Sequence, residues 1–257
     1  MSNIHPTAII NSKAEIGNNV SVGPFTIIEA EARVGDNVDI ASHVVISSGT
    51  TLEEGCRVHK GAVLGTEPQD LKFENEKTFL TIGKNTTIRE FATLNRATTH
   101  SFYTRIGANC LIMAYAHVAH DCQIGDNVVL ANSVNLAGHV IIEDYVGIGG
   151  LTPVHQFVKI GTQSFIGGGL RIPKDVPPYI LAMGEPLTFA GLNKIGLQRR
   201  GFTEKNLKDL KLAYKILYRQ NNTLQEAIKL IETQFLDDPK IIHLVNFLKN
   251  STRGIIR

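Results

Sequence analysis

The sequence predicts an all-β solenoid, a parallel β-helix of six-residue repeats, followed by a C-terminal α-helical domain. The first observation behind this is a period of six. From Ile4 every sixth residue is aliphatic through Leu64, the phase returns at Ile82, Ile88 and Leu94, and it returns again from Ile106 to Ile172. Only positions 70, 76 and 100 break the rule, so 26 of 29 are Ile, Val or Leu. The second observation is the company that residue keeps. Two places before it stands a small or β-branched residue (Ala8, Val20, Ala32, Cys56, Cys110, Cys122), and directly after it there is often a glycine (Gly17, Gly35, Gly107, Gly125). Those glycines are expected to supply positive φ at tight turns. A helical period of 3.6 or a strand alternation of 2 produces no such pattern.

Two inward side chains and a turn per hexad describe one short face of a solenoid. Three faces close a coil of about 18 residues, each coil about 4.8 Å above the last. The three exceptions mark two excursions, about 66–79 and 96–105, that keep the phase and so stand in place of whole hexads. Loops on a rigid scaffold are where binding groups tend to sit. The repeat stops after Pro173, and the parallel β-helix domain, 1–186, gives way to a C-terminal helical domain, 187–257. There Thr203 caps a helix with Leu207, Leu210, Tyr214, Leu217 and Tyr218 on one face. Thr223 with Glu226 forms a capping box, and Asp238-Pro239 opens a third helix through Leu248.

Composition narrows the function classes. With 43% apolar and 19% charged residues the chain is ordinary globular protein, and a formal charge of +2 does not point to nucleic acid. No segment approaches the ~18 uninterrupted apolar residues of a membrane span, and no secretory leader is legible, so a soluble cytoplasmic chain without stable membrane insertion is expected. Cys56, Cys110 and Cys122 form neither a CxxC pair nor an even set, and they fall on inward positions as core residues.

The chemistry concentrates in His117-Val-Ala-His120-Asp121-Cys122. With coils of about 18 residues, His120 falls beneath Gly138, Gly138 beneath Gln156, and Asp121 beneath His139. An imidazole whose ordinary pKa is near 6.5 can take a proton from an alcohol. Asp121 or another nearby polar group can orient that ring and stabilise its charged form, and the bare Gly138 N–H can donate to an oxyanion. This is an acyl-transfer constellation without a covalent nucleophile. Two other readings fit the same residues: three histidines from adjacent coils or subunits holding zinc, as in the gamma-class carbonic anhydrases, and a noncatalytic binding solenoid. His5, His43, His59 and His243 read as solvated turn residues.

Over essentially its whole length the chain resembles the UDP-N-acetylglucosamine O-acyltransferases. The motifs that carry the resemblance are Pro68-Gln69-Asp70-Leu71-Lys72, His117 to Cys122, Leu136-Ala-Gly-His139-Val140, Val154-His-Gln-Phe157, Asp175-Val-Pro-Pro-Tyr179, Gly191-Leu-Asn193, Arg199-Arg-Gly-Phe202 and Ser251-Thr-Arg-Gly254. The resemblance implies a left-handed coil and a homotrimer with sites between subunits. It also implies transfer of an (R)-3-hydroxyacyl group from acyl carrier protein to the glucosamine 3-hydroxyl of UDP-N-acetylglucosamine, the first step of lipid A biosynthesis, with no metal or cofactor. By motif match His120 is the general base and Gly138 the oxyanion donor. Gln69, Asp70, Lys72, Asn95 and His139 contact the sugar or acyl chain, and His155, Gln156, Asn193, Arg199 and Arg200 serve the nucleotide. An arginine pair suits a pyrophosphate. Three departures stand out: Asn95 in place of a histidine, Arg171 where a small or apolar residue often sets acyl length, and Ile195 in place of an acid. Lys205, Lys208, Lys211, Lys215 and Arg219 form a basic helix face suited to an acidic carrier.

Overall fold

The computed structural model describes residues 2–220, 222–235 and 237–257. Three parallel sheets form the faces of a triangular prism, and the chain visits them in rotation. The first face begins with Asn3–Ile4, the second with Ile9–Ile10 and the third with Glu15–Ile16. Most strands are only two residues long because a hexad leaves room for no more. Their partners come from the neighbouring coils: Ile4 pairs with Val22, Val22 with Ile40 and Ile40 with Val58. The aliphatic columns fill the prism together with the small residues that precede them, including Cys56, Cys110 and Cys122, all buried. Burial pushes the Cys122 thiol up to about 12 and the other two up to about 11, so these thiols pack and do not react.

Two expectations are corrected. The excursions do not replace hexads; they add them. Arg57 pairs with Thr87 and Thr87 with Leu111, steps of 30 and 24 residues where the other coils step 18. The second excursion also closes earlier than position 105, at Phe102, because Tyr103–Ile106 already pairs with Phe79–Ile82. The glycines have a different purpose from the one expected. Of those following the aliphatic position only Gly65 has positive φ, 80°, whereas the left-handed corners are held by residues such as Asn19, Phe25, Asn37, Asp121 and His139, at 54° to 62°. What demands glycine is the coil above: a Cβ on Gly107 would stand 2.4 Å from the Gly125 carbonyl oxygen. The corner residues tolerate their conformation because stacking holds them, as where Asn37 N–H donates to Asn18 O and His139 N–H to His120 O.

The last coil is capped by the C-terminal segment. Ile180–Met183 joins the first face in parallel with Phe165–Ile166, and Thr188–Leu192 returns antiparallel. Then follow helices α1 (Lys194–Arg199), α2 (Glu204–Arg219), α3 (Leu224–Gln234) and α4 (Pro239–Lys249). Thr203, Thr223 and Asp238 cap α2, α3 and α4 as expected. The six-residue α1 buries only Leu197 and so leaves no apolar period in the sequence. Tyr214, fully buried, donates to Pro178 O, and Tyr218 donates to Ile256 O. Buried Asp175 accepts from Lys159 N–H and from the Ser251 hydroxyl, tying the chain's end to the β-helix.

His243 is not a solvated turn residue. It lies on α4, half-buried, with Nε2 2.8 Å from Glu143 on the β-helix. The hydrogen bond to Glu143 raises its pKa above the ordinary imidazole value, outweighing burial. A raised folded value means stability that is fully present below about pH 6.5 and lost as pH climbs through the folded pKa. His243→Gln is therefore expected to lower Tm by about 1–2 °C at pH 5.5 and by less at pH 8.5, because the side chain is 40% exposed and solvent weakens the pair. Melting curves at the two pH values check this; an equal deficit at both would remove the ion pair from the account.

Candidate active site

Both excursions and the His120 segment leave the prism at one edge, between the second and third faces. The chain runs from Val63–Thr66 to Phe79–Ile82, from Thr93–Asn95 to Tyr103–Ile106, and from His117–Val118 to Gln123–Ile124, crossing the same corner each time. The fold thus delivers the loops of two coils and the histidines of the next ones to a single strip of surface.

Register puts His117 beside Asn135 and Asn135 beside Pro153, so His120, Gly138 and Gln156 are stacked as expected. His120 is more enclosed than a turn residue would be: its side chain is 13% exposed. Its Nδ1 lies 2.8 Å from Asp121 Oδ2, and the ring rests on Gly138. A Cβ at position 138 would stand 2.7 and 2.8 Å from His120 Cε1 and Nε2, so glycine is what makes room for the ring. The Gly138 N–H donates to no group among the described residues.

Asp121 is the hub of the site. Its side chain has no exposure, and burial works against its ionisation. Hydrogen bonds from His120, Ser101 and Thr98 outweigh that cost and hold the carboxyl well below the usual carboxylate range. An ionised carboxylate only accepts, so Nδ1 of His120 carries the proton and the lone pair is left on Nε2. His139 meets His120 edge-on at 5.0 Å, stacks flat on Phe157 at 4.4 Å, and has its Nδ1 3.9 Å from Asp121 Oδ2. Burial pushes its pKa below the ordinary value despite the pull of Asp121, and the same cause lowers that of His117, whose Nδ1 is 2.8 Å from Thr93 Oγ1.

The other expected residues divide into two groups. Asn95 is buried, and its amide N–H groups are spent on Thr66 Oγ1 and Glu67 O at the root of the first excursion, while its Oδ1 has no partner. Asp70 is near enough to act electrostatically on His139, and Gln69 and Lys72 are exposed on the same excursion. His155 and Gln156 are exposed one coil beyond Gly138. By contrast Asn193, Arg199 and Arg200 line a cleft of about 660 Å³ on the first face, with Tyr145, Phe165 and Ile195. Asn193 caps α1 and donates to Gln163 O, and the Arg200 guanidinium lies 4.9 Å from the Tyr145 ring centroid. In a triangular prism the first face is opposite the edge that carries His120, so one chain does not bring these arginines to its own imidazole. Arg171 pairs with Glu185 at 3.3 Å.

Among the described residues one group has metal-ligand proximity: His120, Asp121 and His139, with candidate ligand atoms within 4.8 Å of one another. The Asp121 oxygens in it are already committed to Thr98, Ser101 and His120. Sequence reasoning missed the donors Thr98 and Ser101, and His100, which meets His139 edge-on at 4.5 Å. The only signal was a run of hydroxyl residues, Thr98-Thr-His-Ser101, inside a break in the repeat.

Gly138→Ala is expected to push the His120 ring aside and break its bond to Asp121, with Tm within about 2 °C of wild type because the obstructing atoms belong to a movable side chain. A crystal structure of the variant checks this, and a ring still 2.8 Å from Asp121 would refute the packing argument.

Residues 175–256 match the second domain of the UDP-N-acetylglucosamine O-acyltransferase family, and residues 13–48 and 103–138 match the bacterial transferase hexapeptide family. The chain is 51% identical over 255 residues to the acyl-[acyl-carrier-protein]–UDP-N-acetylglucosamine O-acyltransferase of Chlorobaculum parvum, covering 99% of this chain and 97% of that one. The Myxococcus xanthus enzyme of the same name is 43% identical, with both chains covered in full. Among solved structures, the UDP-N-acetylglucosamine acyltransferase of Francisella novicida superposes with a TM-score of 0.97 at 36% identity, covering 99% of this chain and 94% of that one. The Moraxella catarrhalis O-acyltransferase gives 0.96 at 39%, with 99% of each covered. The coil is accordingly the left-handed parallel β-helix of hexapeptide repeats with a C-terminal helical domain. Sequence and fold agree: the chain belongs to the acyl-[acyl-carrier-protein]–UDP-N-acetylglucosamine O-acyltransferase family.

Proposed function

We propose that this chain transfers an (R)-3-hydroxyacyl group from acyl carrier protein to the 3-hydroxyl of UDP-N-acetylglucosamine, opening lipid A biosynthesis, with His120 as general base. The observation that carries the mechanism is the His120–Asp121 pair laid on a glycine. His120 Nε2 takes the proton of the sugar hydroxyl as its oxygen attacks the thioester carbonyl. The tetrahedral oxyanion accepts a hydrogen bond from the Gly138 N–H. Collapse expels the carrier thiolate, which regains its proton from the imidazolium. Asp121 stabilises that imidazolium and fixes the ring's tautomer.

In this reading Gln69, Asp70, Lys72, Asn95 and His139 frame the acyl and sugar ends. Asn95 brings its free Oδ1 rather than a titrating ring. His155, Gln156, Asn193, Arg199 and Arg200 serve the nucleotide, and the separation of the arginine cleft from His120 supports a homotrimer in which a neighbour supplies it. The reaction is cytoplasmic and needs neither metal nor cofactor; no helix among the described residues is long and apolar enough to cross a membrane. The committed oxygens of Asp121 favour this over a zinc hydratase.

Purified wild-type chain is expected to form the 3-O-acyl product from hydroxyacyl carrier protein and UDP-N-acetylglucosamine with less than stoichiometric zinc by metal analysis. His120→Ala is expected to reduce kcat at least about a thousandfold with the fold intact. Wild-type rates in that variant would end the mechanism.

The exposed basic face of α2, with Lys208, Lys211 and Lys215 around an apolar floor of Phe189, Leu192 and Leu212, is suited to the acidic carrier. Reversal of Lys208 and Lys211 to Glu is expected to raise KM for the carrier about tenfold and leave KM for the sugar nucleotide alone. An unchanged carrier KM would place the dock elsewhere.

A further inference from the structure

Asp121 receives more hydrogen bonds than holding one imidazole requires, and all of the others come from a single stretch, Thr98 to Ser101. Oδ1 accepts from the Ser101 hydroxyl at 2.5 Å, the Ser101 N–H at 3.1 Å and the Thr98 N–H at 3.3 Å. Oδ2 accepts from the Thr98 hydroxyl at 2.7 Å and the Thr98 N–H at 3.2 Å, besides His120 Nδ1 at 2.8 Å. The Asp121 N–H donates to Thr104 Oγ1 at 2.9 Å. The excursion is folded around this carboxylate: Phe102 N–H closes back on Thr98 O, and His100 N–H donates to Thr98 Oγ1.

This matters because two imidazoles compete for the same oxygen. Oδ2 is 2.8 Å from His120 Nδ1 and 3.9 Å from His139 Nδ1, and the latter is buried without a partner. A carboxylate free to turn about χ2 would gain by satisfying that orphan, since a buried polar atom left unpaired costs on the order of 1–3 kcal/mol. Turning would take the proton acceptor away from His120. Donors on both oxygens prevent the turn, because rotation breaks all of them together.

We propose that Thr98 and Ser101 are positioning residues for the transfer reaction, locking the Asp121 carboxylate onto His120 and away from His139. The second excursion is then part of the machinery without touching the reacting atoms. This rests on the reading of His120 as the base.

The test compares Thr98→Val, Ser101→Ala, their combination and the conservative Thr98→Ser. Each hydroxyl-deleting single variant is expected to lower kcat about tenfold and the double variant about a hundredfold, one charge-assisted bond being worth about a factor of ten or more. KM for both substrates should stay within about twofold, and Thr98→Ser should retain near-wild-type kcat. A double variant with wild-type kcat, a loss confined to KM, or a Thr98→Ser as impaired as Thr98→Val would overturn the proposal. Nitrogen-15 spectra of histidine-labelled protein give a readout independent of turnover. The Nδ1–H signature of His120 should weaken in the double variant and one should emerge at His139; unchanged spectra would also overturn the proposal. Should the double variant fail to fold, Ser101→Ala alone, with Thr98 still in place, carries both measurements. Inactive wild-type protein would sink the proposed transfer, whereas unaltered histidine spectra would sink only the assignment of Thr98 and Ser101.

Discussion

Everything in this molecule follows from the hydrogen bonding of one coil to the next. Because each rung bonds to the next coil, 18 residues on except where the two excursions lengthen the step to 30 and 24, a residue's neighbours above and below are decided before any side chain is considered. The stack is close enough that the position after each aliphatic residue repeatedly becomes glycine, simply because the next coil's backbone occupies the space of a Cβ. It is also rigid enough to hold Phe, His, Tyr and Asp at left-handed corners that unconstrained chains avoid. The same constraint that packs the core therefore also aims the corner side chains.

The edge between the second and third faces uses that constraint for chemistry. Asp121 stands at a left-handed corner, so its side chain points along the edge, where it meets the imidazole of the preceding residue and the loop of the coil before. A wholly buried carboxylate survives there because many donors converge on it. Gly138 belongs to the same logic one coil further on, where the missing side chain that relieves crowding elsewhere in the solenoid admits the His120 ring. One residue type thus meets a packing need in most coils and a chemical need in this one.

The prism also explains what a single chain lacks. Its flat faces look outward in three directions, so groups on the first face and groups on the opposite edge cannot converge within one molecule. The cleft of Asn193, Arg199 and Arg200 and the edge of His120 are separate for that geometric reason. Conversely the C-terminal helices are bound tightly to their own β-helix through Asp175, Tyr214 and the His243–Glu143 pair, so the arginine cleft is a fixed part of the first face.

By itself the sequence determined the solenoid, the number of residues per coil, the inward columns, the capped helices α2 to α4 and the stacking of His120 on Gly138. All of these are periodic or local, and so are written in the spacing of the residues. Tertiary structure alone decided that both excursions leave at the His120 edge, that they add hexads instead of replacing them, and that glycines answer to the coil above instead of to φ. It also decided that Thr98 and Ser101 reach Asp121, that the Asn95 amide is spent on the loop root, and that His243 meets Glu143. Those pairings join residues 20 to 100 positions apart through aperiodic loops and helix docking, and no repeat in the chain encodes where such a segment comes to rest.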